Sequence, residues 1–352
     1  MKLTIQHSGK MIGKIIAGIF LFQTLSVRAD AQTSEKTNVN VGIFYPISSN
    51  GGGAADYSNH FSLNAMLGIS GSEKGFTLAG LTNLIFNNAS GLQIAGFSNH
   101  IRNRAEGVQI AGFMNITGST SGINLAGFGN FSRRNSTGTQ IAGFINTSRN
   151  AGQQVAGFIN KADTVSTQVA GFINIAKKVK GVQLAGFINI ADSSEYPIGI
   201  FNFIKNGEKS MGVSTDETLT TLLSFRSGSH KLYGIAALGY NNKGSRRLAA
   251  WEAGLGAHLL TGENFRLNVE GVTSGLTDFK NGDYFRSSIR ILPALRIGPR
   301  LELFAGPSFN YVYSHKGQAS DLVSHYVWSE TKNNKDLYGV YFGITGGLSI
   351  RL

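Results

Sequence analysis

Cysteine is absent from the 352-residue sequence, and proline and charged residues are scarce. The absence of cysteine excludes a disulfide framework, a thiolate metal site, a cysteine nucleophile and a lipid anchor on an N-terminal cysteine. Only 15% of the residues are charged, but 41% are hydrophobic, including 23 phenylalanines and 11 tyrosines, so a folded chain is expected rather than a disordered one. Glycine, in contrast, occurs 46 times, which is about twice its usual share.

The N-terminus has the features of a targeting segment. Lys2, Lys10 and Lys14 form a basic region, residues 15–27 are mostly apolar, and Ala29, Asp30 and Ala31 resemble a cleavage site. We predict a cleaved signal peptide at residues 1–31, with an uncleaved anchor as the alternative. No later run of 18 apolar residues is present, which argues against a helical membrane protein. Export of a glycine-rich chain without cysteine predicts the envelope of a bacterium with an outer membrane.

An internal repeat occupies residues 75–206. The sequence Leu-Gln-Ile-Ala-Gly-Phe-Ser-Asn at 92–99 recurs at 108–115 as Val-Gln-Ile-Ala-Gly-Phe-Met-Asn. Spacings of 14 to 16 residues separate the central glycines from Gly80 to Gly186. The nine central glycines are Gly80, Gly96, Gly112, Gly127, Gly143, Gly157, Gly171, Gly186 and Gly199.

Each repeat is predicted to form a strand, because a glycine at its midpoint and β-branched neighbours disfavour a helix. Alternation gives the strand an apolar face and a second face that is small, aromatic and amide-bearing. The first face holds Val108, Ile110, Gly112, Met114 and Ile116, and the second holds Gln109, Ala111, Phe113 and Asn115.

Two architectures are compatible with this strand. In an up-and-down barrel, neighbours run antiparallel, and the nearly palindromic chemistry about the glycine pairs amide with amide and small with large. Nine residues also match the length of a tilted transmembrane strand. In a β-solenoid, identical residues stack in parallel and the alternate apolar set is expected inside. The repeated phenylalanines are expected to be core or packing residues, with a recognition stack as the alternative.

The chain after the repeats alternates between apolar and polar residues within several segments. Residues 338–352, 251–259, 289–297 and 301–309 each place their charged residues on one face, which is typical of an outer-membrane barrel. The charged face would line the lumen, where it would set ion preference or close the lumen by pairing. The candidate lumen-lining residues are Glu252, Glu270, Arg290, Arg296, Glu302 and Arg351.

The repeat units Gln-Ile-Ala-Gly-Phe-x-Asn resemble those of bacterial "surface repeat" proteins. The segment from Arg300 to Pro307, together with the final strand, resembles outer-membrane β-barrel families. One departure is that such barrels commonly end on an aromatic residue, whereas this chain ends on Leu352. The resemblance implies an envelope location and supplies no catalytic residue.

A search for chemistry in the sequence gives no candidate. The seven histidines include no pair at metal-ligand spacing, and Gly51–Gly53 is not followed by the Lys-Ser/Thr of a phosphate-binding loop. No Gly-x-Ser-x-Gly nucleophile elbow is identified. The sequence predicts no enzyme, no catalytic residue, no metal and no cofactor. Basic residues do not interleave with aromatic ones, so nucleic acid is not an expected partner.

The favoured prediction is an antiparallel transmembrane β-barrel of about 16–18 strands. N-terminal strands would occupy residues 32–74, the repeats 75–206 and the last barrel strands 207–352, with Met211–Phe225 as a loop or rim strand. The protein would be a passive pore or a structural envelope protein, with outer-membrane lipid and the barrel-insertion machinery as partners. The alternative is a β-solenoid of about 15-residue repeats followed by a barrel-like domain, acting as a surface-exposed binding or adhesion module.

Overall fold

The computed structural model describes residues 37–243, 248–279, 284–315, 322–333 and 335–352. The predicted signal peptide lies outside the described residues. Most of the described chain is β-strand, in one sheet of 19 strands and a second sheet of nine, so the all-β prediction is confirmed.

The first sheet is built from the N-terminal strands and the repeats. Its strands are β1 Thr37–Phe44, β2 Ile47–Ser48, β3 Ser58–Ser70, β4 Ser72–Ala79, β5 Thr82–Ile85, β6 Leu92–Ala95, β7 Ser98–Ala111, β8 Met114–Ala126, β9 Gly129–Ser132, β10 Asn135–Ala142, β11 Ile145–Thr147, β12 Asn150–Ala156, β13 Ile159–Lys161, β14 Thr164–Ala170, β15 Ile173–Val179, β16 Val182–Ala185, β17 Ile188–Ser193, β18 Tyr196–Ile198 and β19 Phe201–Ile204. A 3₁₀ turn, Gly51–Asp56, lies between β2 and β3.

The repeats stack in parallel as a β-solenoid. Gln109 lies opposite Gln93 in the preceding repeat and Asn124 in the following one, and Asn115 pairs with Asn99 and Asn130 in the same way. Each repeat is one coil of three sides. Side one is the strand with the glutamine position, side two is the strand with the asparagine position, and side three is the polar connection.

Antiparallel pairing of the repeats is therefore a wrong prediction, and the solenoid alternative describes this part of the chain. The palindromic chemistry fits both strand directions, so it does not select one. The chain also bends between sides one and two, at the Gly-Phe pair of each repeat. The unit at 92–99 thus contributes Leu92–Ala95 to one side and starts the next side at Ser98, and a strand of four residues is too short to span a bilayer.

The interior of the solenoid holds many polar and small side chains in place of the apolar set expected for a solenoid, together with smaller apolar clusters that include Ile85, Ile101, Val165 and Val179. Gln109, Ala111 and Asn115 are buried, whereas Val108 and Ile110 lie on the partly exposed outer side. On side one the two faces of the predicted strand are thus reversed with respect to the interior, whereas after the bend Phe113 lies at the surface and Met114 is buried. An amide interior is stable only if its donors and acceptors are paired.

The asparagines of side two supply this pairing. Consecutive members hydrogen-bond from Nδ2 to the Oδ1 of the next coil at 2.8 to 3.0 Å. The second Nδ2 hydrogen is donated to a side-one carbonyl of the next coil at 2.6 to 2.9 Å. We call these residues the asparagine column: Asn83, Asn99, Asn115, Asn130, Asn146, Asn160, Asn174, Asn189 and Asn202.

A second amide ladder on side one runs in the opposite direction. Gln109 donates from Nε2 to Oε1 of Gln93 in the preceding coil at 2.9 Å, and the bonds from Gln154, Gln168 and Gln183 follow the same rule. Asn124 interrupts this ladder, because its shorter side chain donates to Thr120 Oγ1 instead. The two ladders link each coil to both of its neighbours.

Replacing one member of the asparagine column is expected to destabilise the solenoid. In Asn146→Ala, the Val155 carbonyl and the Asn160 Oδ1 lose their donor, and Asn130 loses its acceptor. Buried polar groups left without a partner cost about 1–3 kcal/mol each, so we expect a loss of about 2–4 kcal/mol in the free energy of opening these coils. Amide hydrogen exchange of the flanking strands measures it.

The matched control is Asn150→Ala. Asn150 donates to Asn135 Oδ1 at 2.9 Å in the same stacked geometry, but the pair is exposed on side three. Water replaces the lost partner there, so we expect a change within about 0.5 kcal/mol. Equal effects of the two substitutions would contradict a buried column that stabilises the coils.

The second sheet closes as an eight-stranded antiparallel barrel. Its strands are β20 Glu208–Asp216, β21 Thr220–Gly228, β22 Leu232–Asn241, β23 Leu248–Thr261, β24 Phe265–Thr277, β25 Tyr284–Ile297, β26 Leu301–His315, β27 Trp328–Lys332 and β28 Asp336–Arg351. β28 pairs with β26 on one side and with β20 on the other, which closes the ring. β27 pairs with β28 outside the ring of eight.

The barrel has eight strands rather than about 16–18, because the repeats contribute none. Met211–Phe225 is not a loop or rim strand, since most of it lies in β20 and β21, which pair with each other along their length. The adjacent carboxylates of this segment fall where the two strands meet. Asp216 ends β20, and Glu217 begins the turn.

The two ends of the barrel differ in their connections. At one end, three turns of three residues each join β21 to β22, β23 to β24 and β25 to β26, and this short-turn end also holds the start of β20 and the end of the chain. At the other end, the connections include residues 242–247, 278–283 and 316–335. These three connections are longer than the three turns at the first end, and we call the end that holds them the long-connection end.

The last coil of the solenoid docks on the outer wall of the barrel at the short-turn end. The Asn202 backbone N–H donates to Ser227 Oγ at 3.0 Å, and Ser229 Oγ donates to the Glu195 carbonyl at 2.7 Å. The carbonyl of Ile200 lies against Gly234, where a Cβ would not fit. The barrel therefore covers the strand edge that the final coil would otherwise leave open.

Candidate functional site

The barrel interior holds a network of ion pairs between side chains of alternate strand positions, together with buried apolar side chains such as Leu222, Leu276 and Val312. At its centre, Arg290 Nη2 lies 2.6 Å from Glu252 Oε2, and Nη1 of the same guanidinium lies 2.9 Å from Glu252 Oε1. All of these groups are at least 95% buried. The bidentate geometry matches the planar guanidinium to the carboxylate.

A second centre joins three strands around Glu270. Arg226 Nε donates to Glu270 Oε1 at 2.9 Å, and the Tyr233 hydroxyl donates to the same oxygen at 3.0 Å. Arg290 Nη1 approaches the other oxygen at 3.9 Å. Glu270 therefore links the two arginines into one network across the lumen.

Arg286 lies toward the long-connection end of the lumen, where Leu322 and Val323 also pack against inward apolar side chains of the barrel. The Arg286 Nη2 lies 2.7 Å from Asp216 Oδ2, and its Nη1 lies 3.8 Å from Glu217 and donates to the Tyr341 hydroxyl at 3.3 Å. The two adjacent carboxylates reach one guanidinium because Glu217 lies in a turn, where the opposite-face rule for strand neighbours does not apply. Sequence reasoning missed this group, although Arg286 lies four residues before Arg290, on the same face of β25.

The short-turn end of the lumen is a polar cavity of about 220 Å³. Arg266 donates to both oxygens of Glu208 at 2.9 and 3.2 Å and lies 3.7 Å from Glu302. Arg351 lies 3.5 Å from Glu208, and Arg296 lies 3.8 Å from Glu302. The pairing of arginines with carboxylates thus continues to the mouth of the barrel.

The six residues proposed from the sequence occupy different depths. Glu252, Glu270 and Arg290 are buried in the central network. Glu302 and Arg296 line the cavity at the short-turn end, and Arg351 lies at its rim with 37% of its side chain exposed. The structure joins Glu252, Glu270 and Arg290 in one group, while Arg296 and Glu302 form another.

The outer wall of the barrel carries apolar side chains at the alternate positions. Along β25 every second side chain is exposed from Phe285 to Ile297, and Ile289 is 59% exposed. Leu238 and Phe342, on other strands of the ring, are 70% and 69% exposed. A water-soluble domain has the opposite distribution of apolar and charged groups.

Comparisons with protein-family models, curated proteins and solved structures gave no match. Helices that are long and apolar enough to cross a membrane are not found in the described part of the chain. The described residues also contain no group of three or more His, Asp or Glu side chains placed to hold a metal ion. The carboxylates of the lumen are paired with arginines instead.

A column of stacked phenylalanines lies at the corner between sides one and two of the solenoid. Neighbouring rings are 4.8 to 5.2 Å apart and within 14° of parallel. Five of the seven rings are at least 36% exposed, with Phe97 at 46%, and Phe113 and Phe128 are partly exposed. The rings therefore pack on one another at the surface and not in a core. We call the stack the phenylalanine column: Phe97, Phe113, Phe128, Phe144, Phe158, Phe172 and Phe187.

Two titratable groups of the solenoid, the buried Glu73 and the partly exposed His100, have perturbed pKa values. Burial raises the pKa of Glu73 above its usual value, although hydrogen bonds from Asn59 and Ser62 to its Oε1 act in the opposite direction. Burial lowers the pKa of His100, and the positive charge of Arg133 acts in the same direction. Each shift favours the neutral form, because burial disfavours the charged form.

Proposed function

We propose that the protein is a non-enzymatic outer-membrane protein whose barrel is a closed anchor for the solenoid. The observation that carries the proposal is the distribution of side chains on the eight strands, with ion pairs inside and apolar side chains outside. An apolar wall around the whole ring far exceeds the exposed patches of soluble monomers. The same distribution is the rule for barrels in a lipid bilayer.

An anchor is favoured over a passive pore by the filling of the lumen. Eight strands enclose a space that side chains can fill, and here paired arginines and carboxylates, together with a cluster of buried apolar side chains, occupy most of its depth. Residues such as Ser288, Asn310 and Ser308 complete the packing, with Ser288 Oγ bonded to Asn310 Oδ1 at 2.6 Å. Reconstituted protein is therefore proposed to give no stable conductance in planar bilayers.

The position of the solenoid follows from the connections of the barrel. Outer-membrane barrels have short turns on the periplasmic side and longer loops outside. The solenoid docks at the short-turn end, so we place it on the periplasmic side.

Ile289→Arg tests the lipid environment of the outer wall. An arginine near the middle of a lipid-facing strand costs about 2–4 kcal/mol, whereas a surface substitution in a water-soluble barrel changes stability by about 0.5 kcal/mol or less. We expect the larger loss in urea unfolding of the protein refolded into liposomes, followed by the mobility difference between folded and unfolded protein on unheated gels.

Val327→Arg is the matched control. Val327 is also an exposed aliphatic residue, but it lies in the connection before β27 and outside the ring, so its replacement is expected to leave the stability unchanged. If the two variants unfold at the same urea concentration, the outer wall does not face lipid and the proposal fails.

A second candidate function is a binding module on the cell surface, which the exposed phenylalanine column supports. This function requires the short-turn end to face outward. Protease treatment of intact cells separates the two: cleavage within side-three connections, such as 133–138, indicates a surface location, and cleavage only after the outer membrane is permeabilised indicates the periplasm.

A further inference from the structure

The solenoid carries an apolar edge that runs along its repeats from residue 94 to residue 198. Next to the phenylalanine column, side one presents an outward column of leucine, isoleucine and valine. No charged residue occurs in either column, and several members are 36–46% exposed although each is flanked by its neighbours above and below. The aliphatic column consists of Ile94, Ile110, Leu125, Ile141, Val155, Val169, Leu184 and Ile198.

Charged side chains are concentrated on side three. Arg102, Arg133, Arg149 and Lys177 each lie three positions after a member of the asparagine column and are exposed. Residues 37–206 contain 11 lysines and arginines and six aspartates and glutamates, so the solenoid is basic overall, and the four residues named above place positive charge on side three. The solenoid is therefore amphipathic in cross-section, with an apolar edge and a basic side.

The apolar edge is continuous with the outer wall of the barrel. Phe187, the last member of the phenylalanine column, contacts Phe201 with 5.4 Å between ring centroids. Phe201 and Phe203 each lie 6.4 Å from Phe225, which is on the outward side of β21 beside the exposed Leu223. One uninterrupted series of aromatic rings thus connects the solenoid surface to the barrel wall.

The direction of the solenoid follows from its last coil. The free edge of β19 faces the barrel wall, since the Asn202 N–H donates to Ser227 on the side away from β17. Coils stack along the hydrogen-bond direction, so the solenoid extends outward from the wall. Six steps of about 4.8 Å give the phenylalanine column a length of about 30 Å.

We propose that the solenoid lies along the bilayer surface and inserts its apolar edge into the lipid beside the barrel. A barrel wall stands across the bilayer, so a rod that extends from the wall at the short-turn end lies in the interfacial plane. Apolar insertion with basic groups on the opposite side is how amphipathic helices bind an interface, and here stacked coils supply the same surface. The proposal rests on the proposed membrane location of the barrel.

Fluorescent labels on single cysteines test the proposal, because the chain contains no native cysteine. Phe158→Cys places a label on the apolar edge, Lys178→Cys places one on the basic side, and Ile289→Cys places one on the barrel wall. Each full-length variant is refolded into liposomes of phosphatidylethanolamine and phosphatidylglycerol, and is quenched with iodide in water or with brominated acyl chains in the bilayer. Circular dichroism verifies that each variant is folded.

We expect bromine to quench the labels at 158 and 289 at least twofold more than the label at 178, and iodide to show the reverse order. Quenching by bromine at 289 but not at 158 overturns the inference and leaves the membrane barrel intact. Protection of the label at 158 from both quenchers also overturns it, since a protein would then cover the edge. Absence of bromine quenching at 289 refutes the proposed membrane location itself. Val155→Cys, on the aliphatic column, provides a second position if the variant at 158 does not fold.

Discussion

Gly157→Ala is expected to disrupt the solenoid at the coil that it occupies. A Cβ on Gly157 would lie far inside van der Waals distance of the Gly143 carbonyl oxygen in the preceding coil. The same contact with the carbonyl oxygen of the central glycine one coil earlier is found at Gly96, Gly112, Gly127, Gly143, Gly171 and Gly186. The obstacle is backbone of a stacked strand, so no side-chain rotation relieves it.

The expected cost is about 4 kcal/mol or more, which is at the upper end of single-residue effects. The loss should be local, because each coil contacts only its neighbours and solenoid stability is nearly a sum over adjacent units. Limited proteolysis with mass spectrometry is expected to show new cleavage between residues 143 and 171, while the barrel remains protected. Amide hydrogen exchange in β12 and β14 should rise in parallel.

Gly52→Ala is the control for glycine replacement as such. No atom lies within 4 Å of a Cβ built at this position, so we expect wild-type protease resistance. The parallel stack predicts a difference between the two variants. If alanine is tolerated equally well at 157, the glycines are not stacked against one another's carbonyls and the parallel arrangement of the repeats is incorrect.

The sequence predicts the strand content and the faces of the barrel well. Alternation along 289–297 is sufficient to assign each side chain to one side of β25, since a strand has a period of two. The same holds for 338–352, where Phe342 and Ile344 are exposed and Thr345 is buried. The pattern assigns the side chains to the correct faces here because one face of each strand is uniformly apolar.

The direction of the repeat strands could not be derived from the same kind of pattern. Gly112 at the centre with similar residues on both sides gives plausible pairs in either direction. The decisive signal was the recurrence of Gln and Asn at fixed positions, as in Gln109 and Asn115. Ladders of identical amides form between parallel strands in register. Such ladders stabilise the polar face of the repeat in the interior, although the alternation pattern assigns that face to the outside.

The prediction of about 16–18 barrel strands was wrong for a related reason. A nine-residue unit has the length of one transmembrane strand, but the Gly-Phe corner divides it into two short ones. Nothing in the apolar pattern marks this corner, because Phe113 lies on the surface while its neighbour Met114 turns inward. The bend is set by contact with the preceding coil, which is a tertiary effect.

Glu252→Leu is expected to destabilise the barrel by about 3–5 kcal/mol, since removal of one partner leaves the other charge buried. Arg290 is bound to Glu252 by both of its Nη atoms, and its remaining carboxylate neighbour, Glu270, is 3.9 Å away. The guanidinium is almost completely buried at this depth, with 3% of its side chain exposed. Urea unfolding of the refolded barrel in liposomes measures the loss.

The double variant Glu252→Leu with Arg290→Met is the control, and it is expected to recover most of the lost stability. Glu270 still accepts hydrogen bonds from Arg226 at 2.9 Å and from Tyr233 at 3.0 Å. Removal of both members of the central pair therefore leaves no charge unpaired. Replacement of a buried pair by apolar residues of similar volume is often neutral. A single variant that loses less than about 1 kcal/mol would mean that water solvates Arg290, and the lumen would then be an open channel rather than the interior of an anchor.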